Sequence, residues 1–236
     1  MKKCGSVLCA LLLAAAGCRA LDVGLQGGAT VSGMMGQDFE DTKESWVAYF
    51  AGLGLPVTVD TKWDLGLAAG AFVTVDLLDR LSVQPELWYA TIRSGMTITN
   101  DLYAGDKADL VWTYRTLEFS VPLKVGFPLR GLGTFGHGRS QLDLYAGPCV
   151  LYLLDPPPQL DIDGTEGDWG TEADFKRFAF GAVCGVDFRR YAGQVLMGLD
   201  IRLNWHLTSF DDFGSPFADD TRMPGIRASL QVGRHL

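Results

Sequence analysis

Ser209 and Asp211 closely follow His206 in the sequence, and the three residues could carry nucleophilic catalysis. A serine hydrolase needs a histidine within hydrogen-bond reach of the serine, and an acid that orients the histidine. Such a site would suit a lipid-modifying enzyme. His206 also shares a polar strand face with Asn204, where a paired interior histidine is the simpler interpretation. We expect no catalytic residues and a non-enzymatic protein, with lipid modification as an alternative.

A second candidate site is the acidic stretch that runs from Asp161 to Glu166 (DIDGTE). Acids at alternate positions before a glycine resemble a calcium-binding loop, so Asp161, Asp163 and Glu166 are the candidate metal ligands. The third acid that an EF-hand places before the glycine is missing. The alternative is a solvated loop, and no cofactor is expected.

Charged residues also occur on the polar faces of segments whose other face is apolar. The seven that we expect to form a charge network are Glu86, Glu118, Lys124, Asp187, Arg189, Asp200 and Arg202. Charges removed from water must be paired. The first three would form one group and the last four a second group.

Two cysteines, Cys149 and Cys184, lie outside the first twenty residues and on neighbouring segments. An oxidising compartment would permit a disulfide between them. Counting alternate positions places Cys149 on the inner face and Cys184 on the outer face. Because facing residues on neighbouring strands share a face, we expect no bond.

The elements that position these residues are strands, because apolar and polar residues alternate through the chain. Residues 195–207 show the pattern best, with apolar side chains at every odd position. This segment is longer than the usual five or six residues of a soluble strand, and a tilted membrane strand needs about 9–11. The alternation predicts eight strands, at 23–34, 63–77, 81–91, 114–127, 141–154, 176–191, 195–207 and 226–236.

The connections between these strands alternate between long and short. The long ones are 36–62, 99–110, 155–175 and 208–222, and the short ones are 78–80, 128–140 and 190–194. This is typical of an up-and-down barrel with two different rims. A soluble barrel fits the period equally well. The polar face has too few charges to coat a soluble protein, which favours an all-β transmembrane barrel with a packed, polar lumen.

Aromatic residues near the strand ends support a membrane interface, where Trp and Tyr collect. They are Trp63, Tyr89, Trp112, Tyr114, Tyr152 and Trp205. The long loops hold 19 of the 28 acidic residues. Such loops can attract cationic partners or host ligands, and the acidic balance argues against nucleic acid.

Residues 1–20 have the composition of a signal peptide. Lys2 and Lys3 precede an uncharged apolar stretch, and Ala20 ends a small-residue cleavage site. We expect cleavage there, which leaves a barrel domain of residues 21–236. A buried helix or anchor, and lipidation of Cys18 in place of this cleavage, are the alternatives. Cleavage removes three basic residues and changes the formal net charge from −8 to −11.

Three segments, in order, resemble the PorT-like small outer-membrane β-barrel family, which is related to OmpA-like and OmpW-like barrels. They are residues 81–89 (LSVQPELWY), 117–123 (LEFSVPL) and 144–149 (LYAGPC). The resemblance implies an eight-stranded barrel in a bacterial outer membrane, surrounded by lipid and inserted by the barrel-assembly machinery through the C-terminal strand. It implies no catalytic residues. Such barrels usually end in an aromatic residue, whereas this chain ends in Leu236. A narrow OmpW-like channel for small molecules is the alternative function.

Overall fold

The computed structural model describes residues 21–102, 106–129, 139–154, 159–167, 177–208 and 222–236. The expected signal peptide with Cys18 lies outside the described residues, as do Ser209 and Asp211. The expected cleavage after Ala20 therefore stays a prediction.

Twelve strands and one helix occur within the described residues. The strands are β1 (Leu21–Ser32), β2 (Val57–Leu78), β3 (Leu81–Val83), β4 (Glu86–Asn100), β5 (Lys107–Ser120), β6 (Leu123–Leu129), β7 (Arg139–Leu153), β8 (Gln159–Ile162), β9 (Thr165–Gly167), β10 (Phe178–Ala192), β11 (Val195–His206) and β12 (Gly225–His235). The helix is α1 (Gln37–Gly52), between β1 and β2. It is neither long nor apolar enough to cross a membrane.

All twelve strands belong to one antiparallel sheet, and the sheet closes on itself. β1 pairs with β12 on one side, where Asp22 faces His235, and with β2 on the other side, where Leu21 faces Val75. Closure removes the open sheet edge that would otherwise expose unpaired backbone groups. The expected all-β antiparallel fold is confirmed.

Two prolines interrupt the sheet where neighbouring strands meet. Pro85 separates β3 from β4, and Pro122 separates β5 from β6. Proline has no backbone N–H to donate to the ladder, so a strand breaks or bends there. The N–H of Gln84 donates to the Pro122 carbonyl at 3.0 Å and bridges the two breaks. As a result β2 pairs with both β3 and β4, and β7 pairs with both β5 and β6.

The two ends of the barrel differ. One end of the barrel, which we call the short-turn mouth, contains the turns at 79–80 and 193–194, together with the end of β6 and the start of β7. Leu21 and Leu236 also meet there, with the Leu236 N–H donating to the Leu21 carbonyl at 2.8 Å. The opposite end, which we call the long-loop mouth, contains α1 and the adjoining ends of β4 and β5.

Two of the expected long loops are largely regular structure. Residues 36–62 contain α1 and the start of β2, and half of residues 99–110 belong to the ends of β4 and β5. The strands continue because their ends bury apolar side chains, such as Val57 and Ile98, against the inner side of the long-loop mouth. Three of the acidic residues that suggested solvated loops, Asp60, Asp101 and Asp106, are exposed in or next to these strand ends.

The two faces of the sheet are inverted relative to a soluble barrel. Leu25, Leu67 and Leu230 on the outer wall are about two-thirds exposed, at 70%, 67% and 68%. Polar side chains on the inner face, such as Thr30 and Arg227, are buried at 2% and 0% exposure. Successive side chains of a strand point to opposite faces, so the alternation in the sequence produces this inversion directly.

Candidate functional site in the barrel lumen

The lumen contains all seven of the charged residues expected to form a network. They are Glu86, Glu118, Lys124, Asp187, Arg189, Asp200 and Arg202, and none is more than 1% exposed. They come from β4, β5, β6, β10 and β11 and lie at inward positions of those strands. The barrel is therefore filled by side chains whose charges must compensate one another.

Arg202 and Trp88 occupy the middle of this network. The Nη1 atom of Arg202 lies 2.7 Å from the Glu86 carboxylate, and its Nε donates to Asp200 at 2.9 Å. The Arg202 guanidinium also lies 5.0 Å from the centroid of the Trp88 ring. A cation close to an aromatic face is stabilised most where water is excluded.

Arg227 lies near the same ring, with its guanidinium 4.6 Å from the centroid. Its Nη2 donates to Glu118 at 2.8 Å, and its Nε donates to the Thr30 hydroxyl at 3.0 Å. The Trp88 Nε1 donates to Glu86 at 2.8 Å. One indole therefore joins two arginine–glutamate pairs into a single structure.

A second set of ion pairs lies toward the short-turn mouth. Lys124 donates to Asp187 at 2.7 Å, and the Nε of Arg189 donates to Asp143 at 2.5 Å. The Nη1 of Arg189 reaches Asp22 at 3.3 Å. Such charge-assisted hydrogen bonds are stronger than neutral ones and hold each side chain in one orientation.

Neutral side chains complete the network. The Thr74 hydroxyl donates to Gln84 at 2.6 Å, and the Gln84 amide donates to Glu86 at 2.6 Å. The Tyr145 hydroxyl donates to Asp200 at 2.5 Å. Buried polar groups cost free energy unless they are hydrogen-bonded, so these contacts offset the burial of the carboxylates.

The pairing differs from the grouping expected from sequence. Glu86 pairs with Arg202, and Lys124 pairs with Asp187, so both pairs cross between the two expected groups. Arg227, Asp143 and Asp22 are members that the expected network did not include. The alternation places all three on a polar face, but only the register and curvature of the closed sheet bring each to its partner.

An apolar layer lies above the polar network, at the long-loop mouth. It includes Ile92, Met96, Trp112, Leu151 and Met223, together with Phe39 of α1. Phe39 has no exposed surface, and Trp46 and Phe50 of the same helix pack against the layer. The helix therefore covers this end of the lumen.

The expected aromatic interface forms in part. Trp63, Tyr89 and Trp205 point outward and are 47%, 45% and 36% exposed. Trp112 and Tyr114 instead point inward and are buried at 1% and 6%. The prediction for these two was wrong because strand β5 continues past them and places both inside the apolar layer.

His206 lies inside the barrel and is 3% exposed. Neither of its ring nitrogens has a hydrogen-bond partner among the described residues. The paired interior histidine expected from sequence is therefore interior but unpaired. A catalytic arrangement with Ser209 and Asp211 is not described, because those two residues lie outside the described part of the chain.

The calcium candidates lie at the turn between β8 and β9. The Asp161 carboxylate accepts a hydrogen bond from the Gly164 N–H at 2.6 Å, and Asp163 accepts one from the Asp109 N–H at 2.7 Å. No group of three His, Cys, Asp or Glu side chains that could hold a metal occurs in the described ranges. The side chain of Glu166 lies outside them, so calcium binding here stays a prediction.

The two cysteines lie on opposite faces, in agreement with the position count. Cys149 is buried in the lumen, Cys184 is exposed on the outer wall, and both are free thiols. Cys149 faces Gly181 and Cys184 faces Ala146 in the pairing of β10 with β7.

Solved structures give weak likenesses to this chain. Neisserial surface protein A (NspA) has 10% identity and a TM-score of 0.37, over 89% of this chain and 96% of that one. The attachment invasion locus protein Ail of Yersinia pestis, in complex with the heparin analogue sucrose octasulfate, has 7% identity and a TM-score of 0.34, over 92% and 99%. The outer membrane protease OmpT from Escherichia coli has 7% identity and a TM-score of 0.32, over 93% and 98%.

Comparison by sequence finds no matching protein-family model and no matching curated protein.

Proposed function

We propose that this chain is a non-enzymatic β-barrel protein of a bacterial outer membrane, made as a precursor whose residues 1–20 are removed. The broken strands β3 and β4 form one crossing, and β5 and β6 form another. Counted in this way, and with the β8–β9 hairpin outside the membrane, the barrel crosses the membrane eight times.

The observation that carries this proposal is the inverted distribution of polarity. The outer wall exposes leucine, valine or phenylalanine side chains on β1, β2, β4, β5, β6, β7, β10, β11 and β12, whereas the lumen buries arginine, lysine, aspartate and glutamate. A contiguous apolar surface of this extent is unfavourable in water. In a lipid bilayer the same surface would contact apolar acyl chains, and a closed sheet pairs its backbone groups between strands.

The difference between the two mouths supports a particular orientation of the barrel in the proposed membrane. Short turns and both ends of the barrel domain face the periplasm in barrels of this kind, and longer connections face outside. The acidic long-loop mouth would then meet cationic or host ligands, while the C-terminal strand β12 would be recognised by the barrel-assembly machinery. The packed lumen makes a structural or surface-recognition role a better fit than transport.

The proposal is tested by expressing the full chain in a Gram-negative host. We expect the protein in the outer-membrane fraction, without residues 1–20 by mass spectrometry, and with faster gel migration before boiling than after. A protein that remains monomeric and dispersed without detergent would contradict the membrane assignment. Retention of residue 18 with an attached lipid would contradict only the cleavage site.

Enzymatic lipid modification is the competing class of function. Incubation of the purified protein with lipopolysaccharide or phospholipid, with His206→Ala as the control, separates the two classes. We expect no difference in the lipid products between the wild type and the variant.

A further inference from the structure

An open polar cavity of about 620 Å³ lies at the short-turn mouth. Its lining includes Asp76, Arg80, Pro128, Arg139 and Gln141. A second cavity of about 270 Å³ shares Asp76 and Arg139 with it. Small-molecule sites usually enclose roughly 300–1,000 Å³, so the larger cavity has the size of a ligand site.

Two side chains that line the smaller cavity, Tyr191 and His235, contact a buried carboxylate of the lumen network. The Asp22 carboxylate accepts a hydrogen bond from Tyr191 at 2.9 Å and lies 2.6 Å from the Nδ1 of His235. Arg189 also contacts Asp22, at 3.3 Å. The lining of the cavity is therefore connected to the lumen network through Asp22.

Three charged groups on the wall of the cavity, the half-buried Asp76 and the exposed Arg80 and Arg139, have few partners within the described residues. Asp76 is half-buried and makes no hydrogen bond or ion pair within the described residues. The guanidinium of Arg80 makes none there either. Arg139 donates one hydrogen bond to Gln141 at 2.8 Å and lies 5.5 Å from the Tyr191 ring centroid, but it has no carboxylate partner in the described ranges.

A ligand that satisfies these groups must carry both signs of charge. An unpaired, partly buried carboxylate is best compensated by a primary ammonium, which has three donors. Two guanidinium groups favour an oxyanion that can accept bidentate hydrogen bonds, and phosphate meets this requirement with up to two negative charges. An anion alone would leave Asp76 without a partner.

We propose that the cavity binds a compact zwitterion with the chemistry of phosphoethanolamine. The ammonium group contacts Asp76, and the phosphate contacts Arg139 and Arg80. This chemistry occurs both in the soluble compound and in a phospholipid headgroup. The cavity exists whether or not the proposed membrane location holds, but a lipid source would rest on that location.

The test is isothermal titration of the purified full chain in a non-ionic detergent with O-phosphoethanolamine. Ethanolamine and inorganic phosphate are titrated separately as the two halves of the ligand. We expect the whole zwitterion to bind at least about tenfold more tightly than either half, because each half meets one sign of charge only. No binding, or equal affinity for inorganic phosphate, would overturn the proposal.

Variants identify the groups involved. Asp76→Asn and Arg139→Gln should each weaken binding of O-phosphoethanolamine by about tenfold or more, which corresponds to loss of one ion pair. Arg234→Gln is the matched control, since Arg234 is likewise exposed at the same end of the barrel but does not line the cavity and donates to Gln194 at 2.7 Å. Heat-modifiable gel migration verifies that each variant is folded. Equal effects of Arg234→Gln and Arg139→Gln would contradict a defined site.

Nanodiscs distinguish the source of the ligand. Phosphatidylethanolamine discs should weaken the binding of the soluble probe relative to phosphatidylcholine discs if the headgroup occupies the cavity, because only the former carries a primary ammonium. Equal binding in the two kinds of disc would assign the cavity to the soluble compound. Loss of probe binding in both would contradict the proposal, while failure of the protein to enter either disc would contradict the membrane location alone.

Discussion

The Nη2 atom of Arg227 lies 2.8 Å from the Oε2 atom of Glu118, and neither side chain has exposed surface. The two residues are 109 positions apart in sequence, on strands β12 and β5. Their contact crosses the lumen, so it depends on closure of the sheet. A buried pair of this kind constrains how the barrel closes, because either charge alone would be costly.

We expect Arg227→Met to destabilise the barrel by about 3–5 kcal/mol, because Glu118 then remains as an uncompensated buried charge. The double variant Arg227→Met with Glu118→Gln should recover a large part of this loss. The measurement is urea-induced unfolding of the protein in lipid vesicles, followed by tryptophan fluorescence. Simple addition of the two single effects would show that the pair is not coupled.

We expect the wild-type protein to give no steady conductance in planar bilayers, because Trp88 and its two arginine neighbours fill the centre of the lumen. Trp88→Ala removes the largest of these side chains and should produce measurable ion conductance. Tyr89→Ala is the control, since the next residue points outward and is 45% exposed. Steady wild-type conductance would favour the channel function instead.

Gly28 and Gly27 are neighbours in sequence, but only Gly28 lies too close to another backbone to accept a side chain. A Cβ on Gly28 would overlap the backbone carbonyl of Ala228, whereas a Cβ on Gly27 would lie 3.8 Å from its nearest neighbour, the Ala68 carbonyl. Gly28→Ala should therefore cost about 1–3 kcal/mol through forced backbone shifts. Gly27→Ala should stay within about 0.5 kcal/mol of wild type. The same unfolding assay measures both, and equal costs would contradict the close strand contact.

Charge on the outer wall should be tolerated according to depth. Leu230 lies midway along β12 and is 68% exposed, and Leu230→Arg should cost about 2–4 kcal/mol in lipid vesicles. Leu78 ends β2 and is 64% exposed, and Leu78→Arg should cost no more than about 1 kcal/mol. If the two substitutions cost the same, the outer wall is not embedded in lipid.

The fold could be predicted in large part because the alternation of apolar and polar residues along a strand can be identified from adjacent residues alone. The alternation of Met197, Leu199 and Ile201 with Gly198, Asp200 and Arg202 assigns the outer and inner faces without knowledge of the partner strand. Counting alternate positions in the same way places Cys149 and Cys184 on opposite faces. Breaks at Pro85 and Pro122 were not predicted, although proline gives a local signal for them.

The long-loop mouth and the ion pairs could not be predicted in this way. Phe39 joins the apolar layer through tertiary contacts. The sequence of its helix is acidic and only weakly amphipathic, so it does not predict that this side chain is buried. Asp109 suggested a solvated loop, yet it lies on a strand extension and binds Lys62 at 2.5 Å. The pairing of Glu86 with Arg202 depends on the register of the closed sheet, which the sequence of either strand does not contain.

The length of β2 gives the barrel an uneven profile. Its 22 residues, at roughly 3.3 Å per residue, make a strand about 70 Å long, more than twice the roughly 30 Å thickness of a bilayer core. β11 has only 12 residues. Even with the usual tilt, β2 would therefore extend well beyond the bilayer core, whereas β11 itself would end near it. Among the described strands, β2 would carry side chains farthest from the membrane toward a large molecule arriving from outside.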